Sequence, residues 1–234
     1  MAARQIVLDT ETTGLNAKLG DRVIEIGCIE IRDRRLTDRQ FHVYLNPERD
    51  IEEGAAKVHG LTREFLADKP RFADVAGDFL DYVRDAELVI HNAEFDVEFL
   101  DRELALTKRG PLTGHIAGVV DTLALARELH PGKRNSLDAL CERYAIDNAH
   151  RRLHGALLDA ELLAEVYLAM TRGQDSLMMD LEANEARDES AARIDASGLR
   201  VLRATPEEIA THETYLEGLA ADAKGGALWR RLNR

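Results

Sequence analysis

The chain is short of positive charge. Its 234 residues carry 43 acidic and 31 basic side chains, a formal net charge of −12. A protein that grips duplex nucleic acid through many phosphates is usually basic, because each contact releases condensed counterions. The balance points away from unaided nucleic-acid binding, with two exceptions. Bound divalent cations can offset acids locally and attract phosphate, and a partner can supply the grip. Cysteine is scarce as well. Cys28 and Cys141 lie far apart in apolar-patterned sequence, which reads as two buried, reduced thiols of a cytoplasmic protein, not a disulfide or a metal pair. Long apolar runs are absent, so no membrane span is expected. "MAARQIVLD" has no apolar region of signal-peptide length, so none is expected there. What is present is an ordinary folding composition: 45% hydrophobic and 32% charged, with five prolines.

The patterning predicts strands first. Residues 4–8 read as a strand, Val23–Ile31 as a second, and Phe41, Val43 and Leu45 lie at period two in a third. "RDRRLTDR" reads as a polar hairpin connection, and Asn46-Pro47 ends the third strand. Phe72, Val75, Ala76, Phe79, Leu80 and Val83 then form a stripe at helical spacing. "ELVIHN" is a short buried strand, and a helix is expected from Phe95 to Leu106. "GVVDTLALAREL" passes from strand to helix. Leu137, Leu140, Cys141 and Tyr144 mark another helix capped by Ser136, and a last long one runs from about Gly155 to Met170. Leading strands followed by alternation predict an α/β fold, a mixed sheet covered by helices. After Arg172 the sequence becomes rich in Ala, Asp, Glu and Ser and reads as a linker. Thr205-Pro206-Glu207-Glu208 has the form of a helix start, with a cap, Pro at the first position and Glu three after the cap. Three segments are expected: a folded domain over 1–172, a linker over 173–198 and a C-terminal segment over 199–234.

Four acids stand out. Asp9 and Glu11 close the first strand at positions i and i+2, so they share a face. Either alone reads equally well as a solvated strand end. Together they repel unless a cation joins them. Asp96 shares a helix face with Leu100 and Leu104. Asp159 shares one with Leu163, Val166, Tyr167 and Met170. A first-turn acid suits the helix dipole, worth up to ~1 kcal/mol. That does not explain why both sit on the inward stripe. Buried carboxylates need a partner, and an oxygen-rich cluster suits Mg²⁺ or Mn²⁺. His154, in "HGALLDA", precedes Asp159 by five residues. Alone it would read as a surface or satisfied core histidine; beside a metal cluster, neutral imidazole is a good general base for water.

"DTETTG", "HNAEFD" and "HGALLDA", in this order and with "VHGLT" at 58–62 between the first two, resemble the three motifs of the DEDDh 3′→5′ exonucleases. The resemblance implies an RNase H-like fold over roughly residues 4–172. It implies two divalent metals on Asp9, Glu11, Asp96 and Asp159, and His154 as general base. A sister class uses Tyr four residues before the last Asp; Gly155 stands there, which indicates the histidine class. It further implies a substrate pocket drawn from Asp9, Thr10, Glu11, Thr12, Thr13, Gly14, Leu15, His59, Asn92, Phe95, His154 and Asp159. Some relatives carry an acid five positions before the pocket histidine; here Gly54 stands there, beside Glu53.

"LADKP", "FADV", "QDSLMM" and the tail "RVLRATPEEIATHE…GGALWR" extend the resemblance over nearly the whole chain, to the epsilon subunits of bacterial DNA polymerase III, the replicase's proofreading family. That implies two-metal hydrolysis at a frayed or single-stranded DNA 3′ end. It implies a C-terminal segment that binds the polymerase alpha subunit, and a weak sliding-clamp contact through residues 174–179. In that motif Gln174, Leu177, Met178 and Met179 stand, with methionines where an aromatic residue is often preferred. A small stabilising subunit is a further partner the resemblance allows. The protein is expected in the cytoplasm, at the replisome on the nucleoid, and tethering there would resolve the charge deficit. Two other readings are a free-standing RNA exonuclease and a non-catalytic adaptor between polymerase and clamp.

Overall fold

The computed structural model describes residues 4–151, 153–172 and 204–222. The chain divides into two units, Met1–Asp180 and Leu181–Arg234. In the first, one five-stranded sheet carries the order β3-β2-β1-β4-β5. Its strands are β1 (Arg4–Thr12), β2 (Val23–Arg32), β3 (Arg35–Tyr44), β4 (Glu87–Ile90) and β5 (Gly118–Asp121). The leading three pair antiparallel, while β1–β4 and β4–β5 pair parallel. Seven helices belong to this unit among the described residues: α1 (Glu53–His59), α2 (Arg63–Leu66), α3 (Phe72–Val83), α4 (Ala93–Leu106), α5 (Thr122–Leu129), α6 (Leu137–Tyr144) and α7 (Ala156–Met170).

β1 lies in the middle of the sheet, and this explains its unbroken apolar run. Ile6 and Leu8 enter one core with Phe79, Leu88, Leu100 and Leu104, from α3, β4 and α4. Val7 enters the other with Ile29, Val89, Leu140, Leu163 and Val166, the side of α6 and α7. A strand buried on both faces needs apolar residues at every position, not at alternate ones. Ile6, Val7 and Leu8 are all fully buried, and each such side chain contributes roughly 1.5–3 kcal/mol. Cys28 and Cys141 are buried and unpaired.

Two features fix α7 and α4 at their places. Gly27 of β2 lies beneath the first turn of α7; a Cβ there would stand 2.3 Å from the backbone of Ala156 and Leu157. Only glycine permits that approach. Glu103 of α4, 2% exposed, accepts two bonds from Arg22, at 2.7 and 2.8 Å, and a third from the Val23 amide at 3.2 Å. This ion pair ties α4 to the start of β2.

"RDRRLTDR" is not the connection expected of it. β2 runs on to Arg32 and β3 begins at Arg35. Asp33 and Arg34 make the turn alone, both left-handed with φ of 48° and 58°, the geometry of a two-residue type I′ hairpin. The start of β3 is largely exposed at the sheet edge, where polar residues suit the strand and hide its period.

In the second unit the described element is one helix, α8 (Pro206–Asp222). It starts as the sequence predicts. The Glu208 amide donates to Thr205 Oγ1 at 3.3 Å, and the Thr205 amide donates to Glu208 Oε2 at 2.7 Å, a reciprocal capping box. Gln174, Leu177, Met178 and Met179, the linker and Trp229 lie outside the described residues.

Candidate active site

The site forms at the end of β1, where α4 and α7 both begin. Along β1, Asp9 is paired opposite Gly27 and Glu11 opposite Glu25. Because Gly27 carries the first turn of α7, that face presents Asp9 and Glu11 to Asp159, which also sits in the first turn of α7. Thr10 points the other way, as strand alternation requires. Its hydroxyl donates to Asp96 Oδ1 at 2.7 Å, and Asp96 sits in the first turn of α4. The acids therefore come from both faces of the sheet and meet at the end of its central strand.

One cleft of about 770 Å³ is lined by Asp9, Thr10, Glu11, Asn92, Phe95, Asp96, His154 and Asp159 among others. Donor atoms of Glu11, His154 and Asp159 lie within 4.8 Å of one another. His154 Nδ1 stands 3.3 Å from Asp159 Oδ2. Asn92 precedes α4 in the left-handed region, φ 68°. Its amide donates to Asp121 Oδ1 at 3.2 Å, and the same oxygen accepts from Leu123 at 2.9 Å. Asp121 thus binds the starts of α4 and α5 together.

Sequence reasoning missed Arg151. Its guanidinium grips Asp159 with two bonds of 2.6 Å, Nε to Oδ1 and Nη2 to Oδ2. Nη1 donates to Asp138 at 2.7 Å, and Nη2 lies 3.0 Å from His154 Nδ1. Arginine only donates, so Nδ1 is the acceptor and the neutral ring carries its proton on Nε2. The side chain is 6% exposed. The signal available was a basic residue three positions before His154, which by itself resembles any surface arginine.

The electrostatics are those of crowded acids. Burial, then Asp96, Asp159 and Glu11, push the Asp9 carboxyl well above the usual range; Arg151 pulls the other way. Burial first, then Asp159 and Glu25, raise Glu11 to about 8. Burial raises Asp96 to about 7 against the bond from Thr10. For Asp159 burial also pulls upward, but the paired bonds from Arg151 outweigh it and hold the group low. One guanidinium does not offset four carboxylates, and the raised Asp9, Glu11 and Asp96 groups relieve the crowding by holding protons that a bound cation would displace. The donor set is hard oxygen with one imidazole and no sulfur, which fits Mg²⁺ or Mn²⁺.

The remaining expected pocket residues are placed differently. Thr12 Oγ1 donates to the Gly14 carbonyl at 2.6 Å, and Thr13 Oγ1 donates to Asp21 at 2.9 Å. Both hydroxyls shape the chain reversal after β1. Leu15 is exposed, and His59 is buried at the end of α1. His59 Nδ1 accepts the Leu61 amide at 3.0 Å. Its Nε2 is buried without a hydrogen-bond partner among the described residues. Burial lowers its pKa, the Thr12 backbone pulls it upward and His154 pushes it down further. His59 thus lies near His154 but outside the cleft lining.

A family model described as Exonuclease (RNase_T) matches residues 6–167. The DNA polymerase III subunit epsilon of Salmonella typhimurium is 55% identical over 237 residues, with 97% of each chain covered. That of Escherichia coli K12 is equally similar, and that of Pasteurella multocida is 49% identical over 97% of this chain and 94% of its own. Among solved structures, exonuclease X in complex with 5′ overhanging duplex DNA superposes with a TM-score of 0.58 at 26% identity, covering 72% of this chain and 92% of its own. A zinc-bound E. coli exonuclease I–single-stranded DNA complex gives 0.65 at 18% identity, covering 84% and 46%, a likeness of fold.

Proposed function

The chain belongs to the exonuclease family, among the DNA polymerase III epsilon subunits, and from that membership we propose that it proofreads replication. It is a 3′→5′ exodeoxyribonuclease of bacterial DNA polymerase III that removes mismatched 3′-terminal nucleotides. One observation carries the reading: Asp9, Glu11, Asp96, His154 and Asp159, drawn from three separated segments, line one cleft. The fold is RNase H-like, a mixed sheet flanked by helices, and the family uses divalent metal.

The geometry supports these residue roles. Asp9, Glu11, Asp96 and Asp159 would hold two divalent ions, Mg²⁺ or Mn²⁺, which supply polarisation of the phosphoryl oxygens and acidify water. Asp96 is positioned by Thr10, so β1 sets the acids on both faces at once. His154 takes the proton of the attacking water. Nδ1, turned toward Asp159, is the acceptor, and Arg151 must yield that nitrogen first. The 3′-terminal nucleotide lies toward His59 and the reversal at Thr12, Thr13, Gly14 and Leu15, with Asn92 and Phe95 on the other side. The products are a deoxynucleoside 5′-monophosphate and a strand one nucleotide shorter. A mispaired end costs less to separate than a paired one, so it is preferred.

Residues 1–172 form the nuclease domain and 173–198 the linker. Residues 199–234 bind the polymerase alpha subunit, and 174–179 add a weak clamp contact. Similarity along 97% of the chain supports these assignments. Among the described residues no helix is long and apolar enough to cross a membrane, in keeping with work at the replisome in the cytoplasm. Tethering raises local concentration without phosphate affinity of its own, which reconciles a net charge of −12 with a DNA substrate. The test is digestion of mismatched primer–template DNA beside single-stranded RNA, with wild type and Asp9→Ala. Loss of activity in Asp9→Ala and preference for the mismatched DNA support the reading. Metal-dependent cleavage by Asp9→Ala overturns the assignment, and preference for RNA favours an RNA-processing enzyme.

A further inference from the structure

The cleft has a basic side as well as an acidic one. Besides the carboxylates it is lined by Arg127 of α5, and by Lys133 and Asn135 from the turn into α6. Arg127 and Lys133 are exposed. Neither has an ion-pair partner among the described residues, unlike Arg4, Arg22 and Arg151. In a chain with 43 acids and 31 bases, two free cations beside a carboxylate cluster need an explanation. They do not neutralise that cluster, since among the described arginines and lysines Arg151 alone pairs with one of its acids.

The turn that carries Lys133 is built. The Lys133 amide closes it on the His130 carbonyl at 3.2 Å. His130 Nε2 lies 2.7 Å from the Tyr144 hydroxyl, and Asn135, 8% exposed, accepts from Arg143 at 3.0 Å. Both anchors lie on α6, so the backbone beside Lys133 is fixed. Arg127 stands close enough to His91, another cleft residue, to depress its pKa after burial has done so first. His59 lies outside this cleft lining, whereas Arg127 and Lys133 are part of it.

We propose that Arg127 and Lys133 seat the phosphates upstream of the scissile bond, so that the strand reaches the acids across α5 and the 130–136 turn. This rests on the nuclease reading above. It gives the acidic protein a local grip on a single strand, one or two phosphates long, where the reacting end must be drawn toward like charge.

The test compares two substrates on the full chain: a 5′-aryl ester of thymidine monophosphate, which has no upstream phosphate, and a single-stranded deoxyoctanucleotide. In Arg127→Gln/Lys133→Gln the octanucleotide's advantage in kcat/KM over the ester falls about tenfold, as the loss of two exposed charge contacts allows. The loss lies in KM. The slope of log kcat/KM against log salt flattens by about 1.4, at ~0.7 per single-strand phosphate contact. Arg127→Lys/Lys133→Arg restores most of the advantage, because a phosphate needs charge and not one particular fork. A wild type active on both substrates whose neutralised variant keeps the full advantage removes this subsite and leaves the nuclease reading intact. An equal loss on both substrates would place the two cations on the reacting nucleotide instead, and overturns the upstream seat. A wild type inert on both removes the nuclease reading and the subsite together.

Discussion

Gly27→Ala is expected to damage the acid cluster without altering any member of it. The added Cβ would stand 2.3 Å from the Ala156 carbonyl carbon and the Leu157 amide nitrogen, where ordinary contact begins near 3.4 Å. Backbone faces backbone: β2 is held between β1 and β3, and the first turn of α7 is held by its own bonds. No side chain can step aside, so the helix start must lift by about 1 Å, the shortfall in that contact. Overpacking of this kind costs ~1–3 kcal/mol, and the absence of any flexible neighbour puts Gly27→Ala at the upper end. For a chain of this size each kcal/mol lowers Tm by roughly 2–4 °C, which gives a fall of about 6–12 °C. Asp159 lies three residues beyond Ala156 and moves with it, and a misplacement of ~1 Å can cost about 10²-fold in rate. Thermal unfolding by circular dichroism and single-turnover cleavage of mismatched primer–template measure the two effects. A variant with wild-type Tm and rate would show that α7 does not depend on Gly27. A variant less stable but fully active would break the coupling between this contact and Asp159.

Four further outcomes follow from the same geometry. Arg151→Ala leaves Asp159 and His154 without their shared donor. Metal-free Tm should fall markedly, and Mg²⁺ should recover most of it because the ion replaces the guanidinium's charge; an unchanged metal-free Tm would contradict the bonding described. With folded pKa values raised above the unfolded ones, Glu11 at about 8 and Asp96 at about 7 favour folding most at low pH. That contribution is lost as pH rises through those values. Metal-free stability should therefore decline between about pH 5 and 8, and calorimetry in buffers of different ionisation heat should detect protons released by metal near pH 7. Asp9→Asn removes one repelling charge, so metal-free stability should rise while activity disappears; a drop in Tm would count against the repulsion. Arg22→Ala strands the buried Glu103 and should cost about 3 kcal/mol in urea unfolding, the lower figure for a broken buried pair because Arg22 is partly exposed; a loss under ~1 kcal/mol would show the pair to be incidental.

The four acids were legible in the sequence because each breaks a local rule. Asp9 and Glu11 end an apolar strand that wants burial, and Asp96 and Asp159 occupy inward stripes otherwise given to Leu and Val. A violation of pattern is visible one segment at a time. Arg151 was not legible, because its meaning lies wholly in what it reaches: Asp159 eight residues on and Asp138 thirteen residues back. The same holds for Gly27, whose neighbour α7 is some 130 positions away in sequence. Thr10 reads as an ordinary strand residue until Asp96 is placed behind it. The hairpin at Asp33–Arg34 escaped for a different reason. Its strands are polar where they are exposed, so the alternation that identifies strands elsewhere is missing there.

The late position of α7 has a consequence for a chain still on the ribosome. Synthesis delivers β1 first, then α4, and α7 last, after the five strands are already complete. Until Ala156–Met170 has emerged and docked on β2, two of the five groups proposed to act, His154 and Asp159, have no place. A nascent chain thus holds an acid-bearing sheet with no capacity to cut, and a messenger truncated before this helix yields an inert protein, not an unregulated nuclease.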